Sequence, residues 1–103
     1  MADHLVTRYD IRMHSGPQGA EGNVRASIRL VDADGKVVGT IQFYDPEVGT
    51  KGVPIGEALM TLPLAAMPNV VDMLRNEKPV TFARGALTST LRTGVEPVGE
   101  GEG

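Results

Sequence analysis

Cysteine is absent from the 103 residues, and with it go a disulfide scaffold, a thiolate nucleophile and every thiolate metal site. Tryptophan is absent too, and aromatic residues make up 4% of the chain, so the stacking platforms of many carbohydrate and single-strand binders are scarce. Long apolar runs are missing: the most apolar stretch, residues 62–71, is far too short to cross a bilayer. The opening Met1-Ala2-Asp3-His4 is polar and Ala2 offers no site for N-myristoylation, so no targeting segment is expected and the cytoplasm is the expected location. No G-x-x-x-x-G-K-S/T sequence occurs, which excludes a Walker phosphate loop. No internal repeat is evident.

What is there is an ordinary globular composition, with 41% hydrophobic and 22% charged residues. A chain of this length makes one domain and hides only roughly 60 to 65% of its unfolded surface, so the core must be thin. The charge is unevenly placed. All ten Lys and Arg and ten of the thirteen acidic residues precede residue 94, so the net charge of -3 belongs entirely to the end of the chain. That end, residues 94–103, is Gly- and Glu-rich with almost no apolar surface, and is expected to be a disordered acidic tail on a single globular domain of residues 1–93.

Residues 4–14 alternate, with Leu5, Thr7, Tyr9, Ile11 and Met13 on one parity and His4, Val6, Arg8, Asp10, Arg12 and His14 on the other, which predicts a half-buried strand. Glycines and a proline mark 15–23 as a loop. Residues 23–32 alternate again, with Val24, Ala26, Ile28 and Leu30 against Arg25, Ser27, Arg29 and Val31. Asp34-Gly35 signals a hairpin into a third strand, 36–44. A two-residue turn would set Ile28 opposite Ile41, Ala26 opposite Phe43, Leu30 opposite Gly39, Arg29 opposite Thr40 and Arg25 opposite Tyr44. A three-residue loop, 33–35, would mix the faces, so the two-residue turn is preferred.

Residues 45–54 read as a Gly/Pro-punctuated loop and 55–62 as ambiguous between loop and short strand. Pro68 costs about 3 kcal/mol inside a helix but little at its first position, so a helix is expected from near Pro68 to about Leu74 or Asn76, with Asn76 as a left-handed cap and Pro79 barring continuation. A last hairpin, 80–84 and 87–93, is expected around Gly85-Ala86, with Val80 opposite Leu91 and Phe82 opposite Ser89. The fold class is therefore α+β: a small antiparallel sheet of five or six strands in the order βββ-α-ββ, with one short helix on its apolar face.

His4 and His14 tempt toward a metal or acid/base pair, but along a straight strand they lie roughly 33 Å apart, and solvent-exposed histidines are the simpler reading. Gly16-Pro17-Gln18-Gly19 and Gly49-Thr50-Lys51-Gly52 have the G-x-x-G form of an RNA-clamping loop, which joins helices where these join strands; they read as turn glycines. The acidic turn at 32–35 starts like a calcium loop but lacks the later ligands. No catalytic, metal or cofactor site is expected.

One constellation goes further. Arg8, Arg12, Arg25, Arg29 and Arg92 fall on the polar parity of three predicted strands, with Asp10 the only acid among them. Beside Tyr44 they would form a surface for phosphates or carboxylates, against the plainer use of arginine stems as cover for a solvated sheet. Met67, Val70, Met73 and Leu74 give the helix more apolar arc than a small sheet needs, so they are candidate contacts of a homodimer. The expected function is a non-enzymatic binding or interaction module, homodimeric, using its Arg-bearing face for an anionic partner such as single-stranded nucleic acid. The alternative is a small enzyme or small-molecule carrier, its pocket between sheet and helix under the loops 15–22 and 45–54.

Overall fold

A computed structural model describes residues 2–15, 24–50, 53, 56, 58–85 and 88–94. The fold is α+β, and the described residues form seven strands, β1 (Ala2–Val6), β2 (Arg8–Met13), β3 (Val24–Val31), β4 (Val37–Tyr44), β5 (Leu59–Pro63), β6 (Val80–Arg84) and β7 (Thr90–Thr93), and one α-helix, α1 (Met67–Asn76), between β5 and β6. The strands form two sheets where one of five or six strands was expected: β1-β6-β7, and β2-β3-β4-β5.

The division follows from residue 7. Val6 pairs with Val80 of β6, while the next residue, Thr7, donates its N–H to the Val31 carbonyl of β3 at 2.9 Å, so the expected single strand over 4–14 changes sheet within one step. Its phase changes as well. Val6, on the polar parity of the sequence pattern, packs against the core together with Tyr9, and Leu5, on the apolar parity, is 54% exposed.

In β3, Val24, Ala26, Ile28 and Leu30 are all buried and the residues between them are not, as the alternation predicts. Its pairing with β4 puts Ile28 opposite Ile41, Ala26 opposite Phe43, Leu30 opposite Gly39 and Arg29 opposite Thr40. The turn that delivers this register is not the two-residue one. Asp32 and Lys36 close a three-residue loop, with the Gly35 N–H on the Asp32 carbonyl and the Asp32 carboxylate accepting from the Asp34 and Lys36 N–H groups. Gly35 takes φ +85, open to glycine at no steric cost. Val38 is then an extra residue in β4, and this bulge restores the face-matching register that the loop alone would have broken. A second bulge, at Arg25, puts Val24 rather than Arg25 opposite Tyr44.

The ambiguous segment 55–62 holds all of β5 but Pro63, and β5 runs parallel to β4, which corrects the expectation of a wholly antiparallel sheet. A parallel neighbour needs a crossover rather than a hairpin. After β5 the chain makes a 3-10 turn, Leu64–Ala66, and enters α1 with Pro68 in the first turn, where its missing N–H is harmless. Asn76 ends the helix but is not left-handed. Among the described residues only glycines have positive φ; Glu77 is extended, and Asn76 donates to the Asp72 carboxylate at 2.7 Å. In the last hairpin Phe82 faces Leu91 and Val80 faces Thr93, two residues out from the expected register; because the shift is even, the facing sides are unchanged. Of the expected turn, Ala86 lies outside the described residues, as do 16–23 with the first G-x-x-G, and 95–103 of the tail.

The core is one cluster in which Phe43, Phe82, Ile28, Leu30 and Ile41 are the largest fully buried side chains, with Val70 of α1 against them. At about 1.5 to 3 kcal/mol for each large side chain removed from water, these few residues dominate the apolar term. Phe82 packs between the sheets: a Cβ on Gly39 of β4 would collide with its ring. Gly39→Ala is therefore expected to destabilise by about 1 to 3 kcal/mol through overpacking, and Phe82→Leu to reduce that penalty in a double-mutant cycle read by urea denaturation. An unchanged midpoint for Gly39→Ala would contradict this packing.

Candidate functional site

The outward side of the four-stranded sheet is built in rows by register. One row runs Arg12, Ser27, Gln42, Thr61; the next runs Asp10, Arg29, Thr40, Leu59. Arg8, opposite Val31, continues the β2 column. The Arg29 guanidinium lies across to Asp10 as a fork, its Nε 3.0 and 3.2 Å from the two carboxylate oxygens and its Nη2 donating to Oδ2. Arg12 Nε sits 3.8 Å from the same carboxylate. The hydrogen bond from Arg29 holds the Asp10 carboxyl below the usual carboxylate range against a smaller opposing effect of desolvation, and the charges of Arg29 and Arg12 lower it further. The same bond raises Arg29.

Gln42, in the middle of this outward side, is buried and donates to the Thr61 hydroxyl at 3.2 Å. His14 Nε2 lies 3.4 Å from the Ser27 hydroxyl. His4 belongs to the other sheet, its Nε2 3.5 Å from Arg84 Nη1, so the two histidines have different neighbours. Among the described residues no three His, Asp or Glu side chains gather as a metal site would require.

Four of the five expected arginines thus belong to one sheet, Arg8 and Arg12 on β2 and Arg25 and Arg29 on β3. Arg92 does not join them. It lies on β7 in the three-stranded sheet, paired with Asp3 at 2.8 Å, because β6 and β7 return to pair with β1 rather than with the arginine-bearing strands. Arg25 is the extra residue of the β3 bulge. Tyr44, half-buried, ends β4 beside Val24 and Pro63. Of the four helix residues expected at a homodimer contact, Val70 is buried in the chain's own core; Met67 and Leu74 pack partly against that core, and Met73 is half-buried.

Among the described residues two sizeable concave regions border α1, beside a smaller one of about 310 Å³ at Asn69, Met73 and Thr93. A cleft of about 760 Å³ lies between the C-terminal end of α1 and the place where β1 passes into β2, lined among others by Val6, Tyr9, Leu74, Arg75 and Lys78. A groove of about 790 Å³ runs between α1 and the end of β2, lined among others by Met13, Leu64, Met67 and Val71 and sharing Arg75 and Asn76 with the cleft. Neither is lined by described residues of the loops 15–22 and 45–54, where the alternative reading put its pocket. Sequence reasoning missed the cleft because it depends on the phase change at Thr7. The available signal was Val6, an aliphatic residue on the polar parity.

Comparison with protein-family models, with curated proteins and with solved structures finds no match.

The Asp10 carboxyl, depressed by Arg29, contributes stability that is present above its unfolded-state pKa and lost as pH falls through its lower folded value. Asp10→Asn is therefore expected to be less stable than wild type near neutrality and to converge with it in strongly acid solution. The gap should be small, since both partners are well exposed. Urea midpoints across pH check this, and a gap independent of pH would contradict it.

Proposed function

We propose that this chain is a non-enzymatic binding module that acts as a homodimer and presents the arginine-bearing side of its four-stranded sheet to an anionic partner such as single-stranded nucleic acid. The observation that carries the reading is the sorting of charge: Arg8, Arg12, Arg25 and Arg29 share two neighbouring strands with Asp10 as the one acid of those strands. Guanidinium forks suit the paired oxygens of phosphates and carboxylates. Ser27, Thr40 and Thr61 lie between and beside the arginine columns and add neutral hydrogen-bonding groups.

Self-association is supported by the edge of the same sheet. Among the described residues β2 has one ladder partner, β3, and on its core-side parity Ile11 is 41% and Met13 68% exposed. With Met67 in the adjoining groove, these residues form apolar surface beside an open strand edge, which a second copy would cover while setting two arginine faces side by side.

Binding to short oligonucleotides across a salt series tests the first half. Arg12→Ala is expected to weaken binding and to reduce the magnitude of the log-log salt slope by about 0.7 for one lost phosphate contact. No binding in low salt, or a slope near zero, would remove nucleic acid as the partner. Sedimentation tests the second half. The wild type is expected at twice the chain mass, and Met13→Glu as a folded monomer; a monomeric wild type at every concentration would exclude the dimer.

A further inference from the structure

The cleft at the β1–β2 passage combines two features that rarely coincide on a solvated surface. Its apolar walls come from both sheets and the helix: Val6 of β1, Tyr9 of β2, Leu74 of α1 and Val80 of β6 line it. Val80 is buried, and Val6, Tyr9 and Leu74 pack against the core, so their positions are set by the fold. The charged lining is mostly cationic. Arg8, Arg75 and Lys78 stand there against the single acid Glu77, and among the described residues none of those three cations has an ion-pair partner. Arg75 lies in the last turn of α1, where the helix carbonyls favour positive charge.

We propose that this cleft is a binding site for a small amphiphilic anion, an aliphatic or aromatic body ending in a carboxylate, sulfonate or phosphate. Its volume, about 760 Å³, falls in the range of small-molecule sites, roughly 300 to 1,000 Å³. The apolar walls favour the body of such a molecule, since each buried methylene contributes about 0.8 kcal/mol. The three cations decide the sign of the head group: covering them with an uncharged molecule would remove water from charges without a counter-charge, whereas an anion replaces that water. A cationic amphiphile would meet like charge. The site is separate from the proposed use of the sheet face, sharing with it only Arg8.

The test uses the full chain and sodium decanoate, with decyltrimethylammonium as the counterpart of opposite sign, both below their micellar concentrations, followed by amide chemical shifts. Decanoate is expected to saturate at one molecule per chain, with the largest shifts at Val6, Thr7, Tyr9 and from Leu74 to Lys78, and to bind at least about tenfold more tightly than the cation, as expected where charge-assisted contacts fix the head group. The double variant Arg75→Glu, Lys78→Glu changes two exposed side chains and is expected to lose that preference, while Arg12→Glu, on the sheet face, retains it. Failure of decanoate to saturate, shifts centred elsewhere, equal affinity for the two amphiphiles, or an unaltered preference in the double variant would each overturn the proposal.

Discussion

Val6 and Tyr9 stand three residues apart and both pack against one core. A regular strand cannot do this, because its side chains alternate and an odd separation sends them to opposite faces. The chain resolves the conflict at Thr7 by leaving one ladder and joining another, and the rest of the architecture depends on that step. It lets a single N-terminal segment serve as an edge of both sheets, so that the β6–β7 hairpin can return to β1 while β2 remains with β3. The sheets can then close over a common interior, with the Phe82 ring against Gly39. The cleft exists for the same reason, since two strands that diverge leave a corner between them, and the end of α1 lies across it.

Where one periodicity governed a segment, its structure was legible. β3 alternates without interruption, and its burial follows the side-chain pattern residue by residue. Pro68 located the start of the helix to within one residue, because proline costs little only in the first turn. The β3–β4 pairing is more instructive: the register of its central pairs followed from matching apolar faces, although the turn was of a different kind. Matching the faces is worth more than any particular turn, and a bulge at Val38 reconciled the two. Burial thus decided the register, and the local chemistry of Asp32 and Gly35 decided the loop.

What could not be read depended on distant partners. Nothing within Leu59–Pro63 announces that it will lie parallel to β4, because direction is set by the path of the connection. The fate of Arg92 is of the same kind. Its parity in β7 agrees with that of the other arginines, but parity says which side of a strand a residue occupies and not which sheet the strand will join. The sheet face is therefore a four-arginine surface, further tempered by the fork between Arg29 and Asp10. Two cations of the cleft, Arg75 and Lys78, lie outside any strand pattern, and only the passage at Thr7 places Tyr9 and Val6 beside them.

Among the described residues β5 is the outermost strand of its sheet, joined to β4 alone, half-buried at every position and ending in a proline that has no N–H to donate. β3 and β4, by contrast, hold most of the fully buried side chains. The molecule is accordingly graded in its cohesion. β5 can peel away by a partial opening that leaves the central hairpin and the Phe82 contact intact, at a smaller free energy than complete unfolding. Its backbone amides would then be labelled by deuterium well before those at the centre, and the edge of β4 that faces β5 would be transiently bared each time.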